Sequence, residues 1–193
     1  IAVIHNGIIE NYLALRAGLE AAGARMVSDT DTEIIAHLIE RHARGGADLE
    51  AAVRGALGEV RGAYAIAVIS QNEPDRMVVA KNASPLVVGL GQDENLCGSD
   101  IPALLPHTRR MIVLEDGEMA VLTRTGVSVS TVQGEAVDTA SRETLIDWSP
   151  VMAEKTGYKH FMLKEIHEQP RAVEDTLRGR LSGGHREINA EEI

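Results

Sequence analysis

Residues 1–11 constrain the fold most strongly, because an apolar run, an Asn-Gly pair and a second apolar run follow one another directly. An Asn-Gly pair between apolar runs is typical of a two-residue hairpin turn, since both residues tolerate positive φ. After the pair, however, apolar side chains recur at the spacing of one helical face, at Ile8, Tyr12, Leu15 and Leu19. The pattern therefore predicts a strand that turns at Asn6 and Gly7 straight into an amphipathic helix.

The predicted turn carries groups suited to binding an oxyanion. Backbone N–H groups at a strand-to-helix junction are free to face a ligand, and Gly7 has no Cβ to block its approach. The Asn6 side chain adds a second neutral donor. Two donors that converge on one point stabilise a developing oxyanion. A simple capping turn explains the same residues, and the spacing alone leaves both interpretations open.

A second motif opens the next helix. The first helix is expected to end near Gly23, and residues 25–28 to form a short strand. Thr30 and Glu33 have the spacing of a capping box at the start of a helix. Asp31 is then a first-turn carboxylate, which the helix dipole favours. It is also a candidate to bind the α-ammonium group of an amino acid, and the two roles are compatible.

Beyond residue 61 the apolar period changes to that of strands. Continuous or alternating apolar segments predict strands over 63–69, 77–80, 86–90 and 96–98. Residues 111–132 predict a meander with hairpin turns at Asp116-Gly117 and Thr125-Gly126. Residues 135–158 are polar and small, as in a linker, and a helix that starts near Lys159 is expected to be interrupted at Pro170. The pattern indicates antiparallel sheet covered by helices.

Composition excludes several classes of function. The 193 residues carry a net charge of −10, which disfavours nucleic acid as a partner. No apolar run is long enough to span a membrane. His37 and His42 are five residues apart and lie on different faces of a helix, so they do not form a helical zinc pair. Cys97, the single cysteine, lies in an apolar strand and is expected to pack as a small apolar residue. No metal or cofactor is expected.

Several segments together resemble a known family. Residues 5–11 (HNGIIEN), 28–33 (SDTDTE), 61–64 (RGAY) and 84–86 (SPL) are similar to the glutaminase domain of glutamine:fructose-6-phosphate amidotransferases. Residues 160–170 (HFMLKEIHEQP) are similar to the stretch where that family passes into its sugar-phosphate isomerase half. The resemblance runs over almost the whole chain in the right order, which makes it more specific than any single motif.

The resemblance implies a fold and a set of roles. The fold would be α+β, a four-layer αββα sandwich of the N-terminal nucleophile hydrolase type without its N-terminal strands. Residues 1–134 would form the glutaminase domain, 135–158 an interdomain linker and 159–193 the start of the isomerase region. Asn6 and Gly7 would form the oxyanion hole for attack on glutamine by an N-terminal cysteine thiolate, and Asp31 would bind the glutamine α-ammonium group.

The same resemblance implies what lies outside the chain. The nucleophile and the groups that bind the glutamine carboxylate would precede Ile1, and the sugar-phosphate site would follow Ile193. The 193 residues alone are therefore expected to be inactive and marginally stable. The full-length protein is expected to be a cytoplasmic homodimer that uses L-glutamine and fructose 6-phosphate, with no nucleic acid or membrane partner.

Two alternatives remain open. Another class II glutamine amidotransferase, acting on phosphoribosyl pyrophosphate or aspartate, shares the same fold, although residues 164–170 (KEIHEQP) argue against it. A catalytically inactive glutamine-sensing or assembly module would use the Asn6-Gly7 donors only as part of a binding pocket.

Overall fold

The computed structural model describes residues 1–147, 158–177, 181–182 and 187–188. The chain divides into two compact units, Ile1–Asp147 and Trp148–Ile193. The first unit is built from four helices and ten strands over its 147 residues. Its helices are α1 (Tyr12–Ala21), α2 (Asp31–Arg44), α3 (Leu49–Leu57) and α4 (Ile101–Leu104). Its strands are β1 (Ala2–Ile9), β2 (Gly62–Ser70), β3 (Glu73–Asn82), β4 (Val87–Leu90), β5 (Asn95–Gly98), β6 (Arg110–Val113), β7 (Glu118–Thr123), β8 (Val127–Thr131), β9 (Ala136–Val137) and β10 (Thr144–Leu145).

The strands form two antiparallel sheets. The larger has six strands in the order β1-β2-β3-β7-β8-β9, with β1 at one edge. The smaller has four strands in the order β10-β6-β4-β5. Strands β2 and β3 are joined locally, as are β7 and β8, whereas β1 pairs with β2 only after the chain has passed through α1, α2 and α3.

Three apolar clusters separate the layers. The first lies between α1–α3 and the six-stranded sheet, and its fully buried members include Ile35, Leu38, Ile39, Ile66 and Val78. The second lies between the two sheets and includes Val79, Val88, Ile112 and Ala120. The third joins the four-stranded sheet to α4 through Val87, Leu104 and Met111. The order is helices, sheet, sheet, helix, so the expected α+β sandwich is confirmed.

The predicted turn at Asn6 and Gly7 is wrong. Strand β1 continues through both residues to Ile9, and α1 begins only at Tyr12. Gly7 has a φ of +144°, and a Cβ at this position would lie 2.0 Å from the Ala63 carbonyl oxygen. The glycine is therefore needed for close approach of two strands, and the Asn-Gly pair does not reverse the chain.

Two local predictions before α2 are also wrong. Residues 25–28 do not form a strand, because the Glu33 carboxylate accepts hydrogen bonds from the Val27 and Ser28 N–H groups at 2.7 and 2.6 Å. The Thr30 side chain makes no capping hydrogen bond to α2, so the capping box is not formed. Helix α2 nevertheless begins at Asp31, directly after Thr30, and buries its apolar stripe as predicted.

The Asp116-Gly117 turn does not make a hairpin. Strand β6 before it belongs to the four-stranded sheet and β7 after it to the six-stranded sheet, so the turn carries the chain between layers. The Thr125-Gly126 hairpin between β7 and β8 is confirmed.

The predicted linker region begins with ordered strands. Strand β9 pairs with β8, β10 pairs with β6, and Ile146 is buried. The first unit therefore continues to Asp147, beyond the expected start of the linker at residue 135. Residues 148–157 of that linker lie outside the described part of the chain.

The described part of the second unit contains one long helix, α5 (Phe161–Leu177), and a strand pair, β11 (Leu181–Ser182) with β12 (Glu187–Ile188). The predicted interruption of the helix at Pro170 is wrong, because α5 runs through it. Proline removes one N–H donor, but its fixed φ is compatible with helix. The apolar side chains Phe161, Met162, Ile166 and Val173 are exposed on α5.

Candidate functional site

The candidate site lies along β1 at the edge of the six-stranded sheet. Asn6 pairs with Ala65 and Gly7 with Tyr64 of β2. Tyr64 belongs to the apolar cluster under the helices, and Ala65 to the cluster between the sheets. Because side chains alternate along a strand, the Asn6 side chain points to the inter-sheet face, while its neighbours His5 and Gly7 lie on the helix face.

Asp31 is brought to the same strand by the first turn of α2. Its Oδ2 accepts a hydrogen bond from the Ile9 N–H at 2.9 Å. Its Oδ1 lies 3.6 Å from Nδ1 of His5, and the Asp31 side chain is 24% exposed. The carboxylate thus contacts β1 on both sides of Asn6 and Gly7 and remains open to solvent.

The structure brings the three predicted site residues together at one strand edge. Asn6 and Gly7 are exposed, and Asp31 lies on the helix face of the same strand. The Glu10 N–H bonds to the Arg61 carbonyl oxygen at 2.8 Å, whereas the Ile9 N–H points to Asp31. Alternate N–H groups of a regular strand point to opposite sides, so the Ile9 N–H faces away from β2 and toward Asp31.

His5 is a site residue that the sequence analysis did not single out. Its side chain is only 2% exposed, and Nδ1 lies 3.1 Å from the Thr32 hydroxyl oxygen. Its Nε2 is buried and has no hydrogen-bond partner among the described residues. A signal was available, because Val3, His5, Gly7 and Ile9 have the period of two that defines one strand face.

Side-chain amides fix the chain on both sides of the strand pair. The Asn11 side chain donates to the Glu59 carbonyl oxygen at 2.8 Å and accepts from the Arg61 N–H at 2.9 Å. The Asn82 side chain donates to the Gly62 carbonyl oxygen at 2.8 Å. Sequence spacing gave no indication of these contacts, because each joins residues at least 20 positions apart.

Glu33 holds the loop that leads into α2. Its carboxylate accepts hydrogen bonds from the Ser28 hydroxyl and from the Val27 and Ser28 N–H groups, and His37 lies 3.5 Å away. These contacts, first that of the Ser28 side chain, lower the pKa of Glu33 to about 2. The ionised carboxylate therefore fixes the position at which α2 begins, and with it Asp31.

Other chemical candidates lie away from this strand. Cys97 packs beside the inter-sheet cluster, and burial raises the pKa of its thiol. His42 bonds to Glu59 at 2.8 Å and does not share a site with His37. Within the described ranges, no group of three or more His, Cys, Asp or Glu side chains is placed to hold a metal ion. None of the helices described is long and apolar enough to cross a membrane.

Sequence comparisons relate the chain to glutamine amidotransferases. The profile of the glutamine amidotransferase domain family matches residues 1–106. The glutamine–fructose-6-phosphate aminotransferase (isomerizing) of Symbiobacterium thermophilum is 55% identical over 100% of this chain and 31% of that protein. The protein of the same name from Aquifex aeolicus is 53% identical over 94% of this chain and 30% of its own length. The chain thus spans about 30% of the length of these relatives.

Solved structures show the same fold. A glutamine phosphoribosylpyrophosphate amidotransferase from Bacillus subtilis, complexed with ADP and GMP, matches 68% of this chain and 29% of its own, with a TM-score of 0.59 and 29% identity. A structure described as the allosteric regulatory enzyme of purine biosynthesis matches 68% of this chain and 28% of its own, with a TM-score of 0.60 and 28% identity.

Proposed function

This chain belongs to the glutamine amidotransferase domain family, and from that premise we propose that it forms the glutamine-binding part of an enzyme that makes glucosamine 6-phosphate. The substrates would be L-glutamine and fructose 6-phosphate. The observation that carries the proposal is the Asp31 carboxylate, which is bonded to the backbone of the strand that contains Asn6 and Gly7. An anionic group beside two neutral donors suits a zwitterionic amide substrate.

The proposed chemistry is hydrolysis of the glutamine side-chain amide. A cysteine thiol gives its proton to a base, and the thiolate attacks the amide carbon while the carbonyl π electrons move to oxygen. The base then returns the proton to the amide nitrogen, and collapse of the intermediate breaks the C–N bond and releases ammonia. Water then cleaves the thioester to give glutamate. The Gly7 N–H and the Asn6 side-chain amide would donate to the oxyanion. Strand β1 carries both of these donors, and Asp31 is bonded to the same strand through the Ile9 N–H.

Asp31 would bind the α-ammonium group of glutamine. One oxygen is occupied by the Ile9 N–H, and the partly exposed carboxylate has further lone pairs for a charged donor. Hydrogen bonds between charged groups are about twice as strong as neutral ones, so this contact would contribute much of the affinity for glutamine.

The identity pattern favours fructose 6-phosphate over phosphoribosyl pyrophosphate as the acceptor. Relatives named for fructose 6-phosphate are 55% and 53% identical and match nearly the whole chain, including the described α5. The phosphoribosylpyrophosphate amidotransferase is 29% identical over 68% of it. An inactive glutamine-sensing module would keep the Asp31 contact and lack the thiolate chemistry.

The proposal also covers the domain organisation and the partners of the full-length protein. The glutaminase part would extend to the end of the first unit at Asp147, beyond the residue 134 expected from the sequence. The rest of the expected linker, to residue 158, and the start of a sugar-phosphate isomerase region over 159–193 would follow. The whole protein would be a cytoplasmic homodimer without a nucleic acid partner. The net charge of −10 supports the last point, because it repels phosphate backbones.

Substitution of Asp31 tests the proposal in the full-length protein. Asp31→Asn keeps an acceptor for the Ile9 N–H but removes the charge that would bind the ammonium group. We expect kcat/KM for glutamine to fall by about 30–150-fold, the equivalent of about 2–3 kcal/mol. Glutamate release and formation of glucosamine 6-phosphate are measured together. Asp29→Asn, at an exposed carboxylate two positions away, is the matched control. Equal activities of the two variants would contradict the role of Asp31.

If glutamate is released but no glucosamine 6-phosphate forms, fructose 6-phosphate is not the acceptor of the ammonia. If glutamine binds but no glutamate is released, the sensing module is the better description. Calorimetric titration of glutamine separates binding from turnover in both cases.

A further inference from the structure

His5 has a polar environment on one side of its ring only. Nδ1 faces the Thr32 hydroxyl oxygen at 3.1 Å and Asp31 Oδ1 at 3.6 Å. Nε2, on the other side, is buried and has no hydrogen-bond partner among the residues described. A buried histidine is usually bonded through both nitrogens, so this arrangement requires an explanation.

The two acceptors indicate where the ring proton lies. A proton on Nδ1 can be donated to the Thr32 hydroxyl oxygen, on the side of the ring that also faces the Asp31 carboxylate. The opposite tautomer would direct an Nδ1 lone pair at a carboxylate and leave a buried Nε2–H without an acceptor, which is the more unfavourable arrangement. The contacts therefore assign the proton to Nδ1.

We propose that His5 is a positioning residue that holds the Asp31 carboxylate in the orientation needed to bind the glutamine α-ammonium group. The inference rests on the proposed function of Asp31. The Ile9 N–H fixes Oδ2, and the His5 ring, held by the contact of its Nδ1 with the Thr32 hydroxyl, lies beside Oδ1. The separation of 3.6 Å between Nδ1 and Oδ1 is longer than a hydrogen bond, and site contacts that are long without substrate often tighten when the substrate binds.

The two groups that contact the Asp31 carboxylate lie on one strand. His5 and Ile9 both belong to β1, four positions apart on the same face, and β1 is paired with β2 along its whole length. A carboxylate held from two points of one strand keeps its place relative to Gly7, which lies between them. A binding group of the protein that is held in this way loses less conformational freedom when the substrate binds.

Two substitutions at His5 separate positioning from space filling. In asparagine the amide nitrogen is a δ atom, as is the Nδ1 of histidine, whereas in glutamine it is an ε atom. In the full-length protein we expect His5→Gln to raise KM for glutamine about tenfold, the equivalent of about 1.4 kcal/mol, with kcat little changed. We expect His5→Asn to stay within about threefold of the wild type. If His5 only fills space, the larger glutamine is the better replacement, and the order is reversed.

A double-mutant comparison tests whether His5 acts through Asp31. In an Asp31→Asn background, His5→Gln is expected to cause no further rise in KM, because the carboxylate that His5 positions is gone. A tenfold rise in that background would overturn the inference. Thermal unfolding of each variant shows whether the fold is kept, and His5→Asn provides the comparison if His5→Gln is poorly folded.

The outcomes distinguish the two proposals. If Asp31→Asn leaves KM for glutamine unchanged, the proposed function of Asp31 fails. If Asp31→Asn raises KM but both His5 variants match the wild type, Asp31 keeps its role and the inference about His5 is wrong.

Discussion

Arg142 is expected to stabilise the first unit much more than an ordinary surface arginine does. It donates to both oxygens of Glu118, at 2.6 and 3.1 Å, and to the Val113 carbonyl oxygen at 2.8 Å. Glu118 is only 5% exposed and is the one buried charged side chain within the described ranges. Arg142→Met removes the guanidinium group and keeps most of the apolar stem.

The size of the destabilisation follows from the Glu118 carboxylate, which Arg142→Met leaves without its partner. An unpaired buried carboxylate destabilises a protein by about 3–5 kcal/mol. Two features reduce this figure here: the Glu115 N–H still bonds to Glu118 at 2.7 Å, and Arg142 is itself 22% exposed. We therefore expect Arg142→Met to lower the free energy of unfolding by about 2–4 kcal/mol. Glu118→Gln leaves a partly exposed arginine that still contacts Val113, and should cost about 1–2 kcal/mol.

Urea denaturation of the two single variants and the double variant measures the coupling. Removal of both charges avoids the unpaired carboxylate, so the double variant should be more stable than the sum of single effects predicts, by about 1–3 kcal/mol. Arg110→Met is the control, because Arg110 bonds to Glu143 at 2.6 Å but is 55% exposed. Exposed pairs contribute only about 0–1 kcal/mol. The reasoning is refuted if Arg142→Met is no more harmful than Arg110→Met.

Two further substitutions test other parts of the first unit. Gly7→Ala would place a Cβ 2.0 Å from the Ala63 carbonyl oxygen at a positive φ, and should lower the free energy of unfolding by about 2–4 kcal/mol in urea. Gly18→Ala is its control, since a Cβ there meets no atom within 4 Å and should stabilise α1 by about 0.5–1 kcal/mol; equal effects would exclude the steric argument. The pKa of Glu33 is lowered from 4.5 to about 2, so its stabilisation is complete above pH 4.5 and is lost as the pH falls toward 2. Melting temperatures of wild type and Glu33→Gln should therefore differ at neutral pH and converge near pH 2, and a constant difference would contradict this assignment.

The helices and strands that were predicted best are those whose buried face leaves a regular apolar pattern in the sequence. The apolar stripe of α2 and the apolar run of β2 follow from residue spacing, because a helix or strand has one period wherever it packs. Asp31 was identified in the same way, as a carboxylate at a helix start, with its role supplied by the family resemblance.

The errors arose where a distant partner decided the local conformation. Asn6 and Gly7 favour a turn in isolation, but pairing of β1 with β2 keeps them extended. Asp116-Gly117 does turn the chain, yet the next strand joins β3 and not β6. His5 was missed for the same reason, since its contacts to Asp31 and Thr32 span more than 20 residues. Such contacts leave no periodic signal in the sequence.

The long-range pairing of β1 with β2 also sets an order of assembly. Hairpins β2-β3 and β7-β8 bring together neighbouring segments, whereas β1 must find β2 after about 50 intervening residues have been made. Contacts close in sequence form faster than distant ones, because they require less loop closure. We therefore expect a nascent chain to acquire much of its apolar interior before β1 docks. The candidate site would then mature last, when β1 meets a surface built by segments that are synthesised after it.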